Sequence, residues 1–177
     1  MFDYKLHFEK YCAENNLKLQ LSFDMPPGYE TANGTFDFEA RTIYINAEYL
    51  CEAPDYEQAF YFYHELRHAV QHLSPEKSSD AIIRSLPYTI MFDGTCYKLV
   101  DGKYLECKLD GGEALFTDVY LGQPYEVDAN KYSYERVKIL FGDSEGLQKL
   151  YAFWMPKKHV QDAEYLAYYD QIDEKIK

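Results

Sequence analysis

The chain has 177 residues, 47% of them hydrophobic and 27% charged, and a formal net charge of −12. That length suits a single domain with a real core. An acidic balance without clustered Lys and Arg argues against a nucleic-acid partner, and no apolar run approaches the ~20 residues of a membrane span.

The first ten residues mix charges with apolar side chains and lack the apolar stretch of a secretory signal, so a cytoplasmic location is expected. Cys12, Cys51, Cys96 and Cys107 form no C-x-x-C pair and no disulfide framework. The 19 tyrosines suit half-buried surfaces as readily as clefts that bind polar polymers.

Taken in chain order, a helix is expected from about Phe2 to the Asn15-Asn16 stop, then a strand over Lys18–Phe23. Met25-Pro26-Pro27-Gly28 is a loop. Gly34–Asp37 and Arg41–Asn46 read as two strands of a hairpin, and Ala47–Leu50 as a short turn. Pro54-Asp55 opens a helix running to Leu73, with Asp55 a suitable N-cap. A polar linker, Ser74–Ser79, follows. Asp93-Gly94 and Asp101-Gly102 are two D-G turns between alternating residues. They imply a three-stranded meander over Tyr88–Phe92, Thr95–Val100 and Lys103–Leu109, with Tyr88, Ile90, Phe92, Tyr97, Leu99 and Tyr104 facing inward. In the second hairpin, paired residues sum to 203, which sets Cys96 opposite Cys107. Three helices close the chain, near Pro124–Leu140, Ser144–Trp154 and Val160–Ile176.

This order predicts an α+β fold: a small antiparallel sheet packed on one buried helix, a three-stranded β-meander insertion at about 87–110, and a helical C-terminal half. One domain over residues 1–177 is expected.

The chemistry centres on His64-Glu65-Leu66-Arg67-His68. In a helix, residues four apart share a face, so His64 and His68 can aim imidazole nitrogens at one zinc ion, with Glu65 placed to act on water there. Phe60, Phe62, Tyr63, Leu66, Ala69, Val70 and Leu73 surround the motif with apolar groups. Burying two histidines and a glutamate without partners is costly, and a metal removes that cost.

A catalytic zinc needs a third protein ligand. His72 is excluded because it lies about 12 Å along the axis from His64 at 1.5 Å per residue. Glu126 is favoured: it opens a helix, Ala129 one turn on is small enough for close approach, and Asn130 shares its face and can accept an N–H from a ligating histidine. Glu113 and Asp128 are the alternatives.

His64-Glu65-Leu66-Arg67-His68 followed by Glu126-x-x-Ala129 resembles the gluzincin zinc metallopeptidases, and among them the small minigluzincin and ImmA/IrrE-like group. The likeness covers residues 41–73 and 123–137; Asn130 stands where that group often has Asp. The resemblance implies a peptide or protein substrate, zinc held by His64, His68 and Glu126, and Glu65 as general base. It also implies a substrate laid along the strand before the motif helix, on Ile43, Tyr44 and Ile45. A zinc-containing peptide- or protein-binding module without turnover is the alternative function; the intact Glu65 favours the enzyme.

Overall fold

The computed structural model describes residues 2–176 and has the α+β class. Its contacts gather into two compact units. The first takes the chain up to Lys77 together with Asp128–Phe153; the second takes Ser78–Val127 and the chain from Trp154 on. The meander shares its unit with helices.

In the first unit, α1 (Tyr4–Asn15) stops where Asn16 turns left-handed at φ 52° and its N–H returns to the last turn. β1 (Gln20–Ser22), β2 (Gly34–Asp37) and β3 (Thr42–Ile45) form one sheet in the order β1-β3-β2. β2 and β3 make the expected hairpin, but β1 runs parallel to β3, so the sheet is mixed rather than antiparallel. β3 is the central strand. The expected edge strand of Ile43, Tyr44 and Ile45 is thus corrected: both its sides are paired, and Ile43 and Ile45 are fully buried.

α2 (Asp55–Leu73) carries the motif. Pro54, not Asp55, holds the cap position; it caps with no side chain, and Asp55 supplies negative charge to the first turn. Ala59, Phe60, Phe62, Tyr63, Leu66, Ala69 and Val70 are buried, so the helix is enclosed on most sides. α5 (Pro124–Phe141) starts with proline at its first position, which gives up no needed N–H there. The division between the units falls inside this continuous helix, after Val127. Asp128–Phe141 of α5 and α6 (Glu145–Phe153) complete the first unit.

The second unit holds α3 (Asp80–Ser85), β4 (Tyr88–Ile90), β5 (Thr95–Val100), β6 (Lys103–Lys108), α4 (Glu113–Leu121) and α7 (Asp162–Lys175). α3 lies between the expected linker and the meander, where no element was expected; Ser79 caps it by accepting from Ile82 N–H. The sheet order is β4-β5-β6. Ile90, Cys96, Leu109, Phe116, Val119, Tyr165, Tyr169 and Ile172 form its core.

Of the expected inward face of the meander, only Tyr88 and Ile90 pack against the core. Asp101-Gly102 is a two-residue turn with both φ positive, 49° and 76°, as a type I′ turn requires. Val100 then pairs with Lys103 and Cys96 with Cys107, in the expected register. At Asp93-Gly94, however, Met91 N–H bonds Thr95 O across a three-residue loop of Phe92, Asp93 and Gly94. The register slips by one, Ile90 pairs with Cys96, and Tyr97 and Leu99 fall on the other face. Phe92 and Tyr104 are exposed.

No helix among the described residues is long and apolar enough to cross a membrane.

Candidate metal centre

Periodicity on α2 brings the two histidines to one face. Their Nε2 atoms stand 2.9 Å apart with the rings nearly perpendicular. Two nitrogens at ~2.05 Å on a tetrahedral zinc lie roughly 3.3 Å from each other, so a few tenths of an ångström of opening admits the ion. Glu126, in the first turn of α5, offers the third atom. Ligand atoms of His64, His68 and Glu126 all lie within 4.8 Å of one another, and all three residues are partly buried. Two imidazoles and one carboxylate are the donor set of a three-ligand zinc site with an open fourth position. The residues present therefore fit the ion.

The alternative third ligands are placed elsewhere. Glu113 is exposed at the head of α4. Asp128 is engaged in a forked ion pair, with Arg67 Nε 2.6 Å from its Oδ2 and Nη2 3.3 Å from Oδ1. His72 packs against Phe36 and Phe38, with ring centroids at 6.1 and 5.5 Å. Burial there, and secondarily the nearby His68, push its pKa down to about 4.

Glu65 is buried at 9% exposure on the same helix, one residue round from His64. It lies against the start of β2: a Cβ built on Gly34 would meet Glu65 Cγ at 3.0 Å. A glycine at this position is what lets the strand come so near the carboxylate side chain. Asn46 N–H donates to Asn33 O at 3.0 Å, which fixes the alternation along the ladder. Asn33, Thr35 and Asp37 turn their backbone groups toward β3, while Gly34 and Phe36 turn theirs to the outer side. The edge strand beside the motif is therefore β2.

One residue at the centre, Gln71, carries no mark in the sequence motifs. Gln71 is fully buried; its Oε1 lies 2.8 Å from His68 Nδ1 and its Nε2 donates to Asp128 Oδ2 at 2.8 Å. The signal was there to read, since Gln71 follows His68 by three residues and so shares its face. Asp128, an alternative ligand by sequence, instead bonds Arg67 and Gln71. The outer nitrogen of His68 is thus met by Gln71. Asn130 is 2% exposed, one turn after Glu126, and Ala129 beside it is fully buried. Arg67 also lies over the Tyr132 ring, 5.3 Å from its centroid.

Compared with family models, with curated proteins and with solved structures, the chain matches none.

Proposed function

We propose that the protein is a zinc-dependent hydrolase, most simply a metallopeptidase. The observation that carries this is the convergence of His64, His68 and Glu126 on one point beside the buried Glu65. A bound zinc would acidify a water and polarise the carbonyl to be attacked. Glu65 takes the proton released as the water attacks and returns it to the departing amine. His64, His68 and Glu126 hold the ion, and Asn130 is left in this scheme to orient a ligand other than His68. Apolar neighbours on α2 keep bulk water away from the carboxylate, which strengthens its electrostatic action.

The substrate is proposed to be an extended peptide, laid on the outer side of β2. The outward N–H and C=O groups of Gly34 and Phe36 supply main-chain partners for it. A cytoplasmic setting belongs to the same proposal.

The test is hydrolysis of a mixed peptide library by the zinc-loaded chain and by Glu65→Gln. The amide keeps the volume of the carboxylate but accepts no proton. Activity is expected to fall roughly 10²–10⁴-fold with zinc content unchanged. Full activity in Glu65→Gln removes the base. No cleavage by the wild type, with zinc bound, favours the binding module without turnover.

A further inference from the structure

His68 can hold a metal through Nε2 only if its hydrogen sits on Nδ1. The surroundings of Gln71 decide this. The Asp128 carboxylate, ion-paired with Arg67, offers only lone pairs. The Gln71 atom 2.8 Å from it must therefore be the amide NH₂. The other end, Oε1, then faces His68 Nδ1 at 2.8 Å, and an amide oxygen has only lone pairs to give. The hydrogen between them belongs to Nδ1. Nε2 is left with its lone pair directed at His64 Nε2, 2.9 Å away, toward the point that Glu126 also faces.

We infer that Arg67, Asp128 and Gln71 form a polar relay that fixes the tautomer and the ring orientation of His68 and thereby sets zinc affinity. The inference rests on the zinc proposal for its consequence, but not for its geometry. These are positioning residues: none offers an atom to the ion. The direction of each bond is set by the charge at the far end. Arg67 stays charged, so Asp128 accepts, so Gln71 turns its NH₂ to Asp128 and its oxygen to His68. The fork of Arg67 on both carboxylate oxygens, and the Tyr132 ring under its guanidinium, hold that end still. Within the first unit the relay also ties α5, at Asp128, to α2. Partners of this kind are worth about 10–100-fold in metal affinity.

The test has two readouts on the full-length chain. Long-range ¹H–¹⁵N correlation spectra of the zinc-stripped protein report the His68 tautomer, with circular dichroism confirming that its helices persist. Competition with a chromophoric chelator reports zinc affinity. The wild type is expected to show His68 protonated at Nδ1. Gln71→Met, which keeps the volume and loses the acceptor, is expected to mix the tautomers and weaken zinc binding about 10–100-fold. Gln71→Glu alone sets two carboxylates against each other and weakens it too. The Gln71→Glu/Asp128→Asn double variant restores an acceptor for His68 and a donor behind it, and is expected to recover most of the affinity.

An Nε2-protonated His68 in the stripped wild type overturns the relay without any variant. So does a double variant binding zinc no better than Gln71→Met. A wild type that shows the Nδ1 tautomer yet takes up no zinc supports the relay and defeats the zinc proposal instead.

Discussion

Among the described residues, two glutamines are completely buried, one in each unit, and they serve different ends. Gln123, in the second unit, bonds main chain at both ends: its Oε1 accepts from Ile90 N–H at 2.8 Å and its Nε2 donates to Tyr120 O at 3.2 Å. It satisfies the Ile90 N–H, which the edge of β4 would otherwise bury unpaired, and adds a donor to Tyr120 O at the end of α4, which Gln123 N–H also reaches at 3.4 Å. Gln71, in the first unit, bonds side chains at both ends, His68 and Asp128. The same amide is a filler of backbone valences in one place and a link between ionisable groups in the other. What a buried polar residue bonds to, rather than its being buried, separates scaffold from chemistry.

Breaking the scaffold glutamine is expected to act on folding. Gln123→Leu strands the buried Ile90 N–H and is expected to cost about 1–3 kcal/mol of stability, read by urea denaturation, with zinc affinity unchanged. A large loss of zinc affinity in that variant would erase the distinction.

The next effect concerns His72, a half-buried histidine on α2 outside the relay. Its folded-state pKa of about 4 lies below the ordinary 6.5. Between those values the unfolded chain takes up a proton that the folded chain refuses. Stability is therefore fully present above about pH 6.5 and is lost as pH falls toward 4, with no further loss below. His72→Leu is expected to lose about 2 kcal/mol less than the wild type between pH 7 and pH 5, compared on zinc-stripped protein by denaturant midpoints. Identical pH profiles would show that His72 is not buried as a neutral ring.

The smallest effect is expected at Gly34. Gly34→Ala must push aside Glu65 Cγ, Ile45 Cδ1 and Tyr44 O, each 3.0 Å from the new methyl. A stability cost of about 1–2 kcal/mol is expected, together with slower peptide cleavage because Glu65 is displaced. Unaltered kinetics would separate β2 from the base.

Much of this was legible in the sequence where one local rule governs. The 3.6-residue period of α2 sets His64, Glu65 and His68 on their faces, and the enclosing apolar residues show the helix to be buried. The helix opened by Pro124 put Glu126 and the small Ala129 together. The Asp101-Gly102 turn gave the Cys96–Cys107 register because both central residues take positive φ. The identical dipeptide at Asp93-Gly94 misled, since Asp93 there accepts from Thr95 N–H and Oγ1 and from Lys108, and builds a longer loop. Which strand lies at the edge was not legible: β1 joins β3 from across the chain, and pairing of that range leaves no mark in Thr42–Ile45. The relay was hidden for the same reason, because Gln71 and Asp128 are 57 residues apart.

Zinc stoichiometry tests the central claim most directly. The purified chain, stripped and titrated with zinc while metal content is read by elemental analysis, is expected to bind one ion, and Glu126→Ala to lose most of the affinity while keeping its helices. A wild type that binds no zinc, or a Glu126→Ala variant that binds it as tightly as the wild type, would contradict the three-ligand centre.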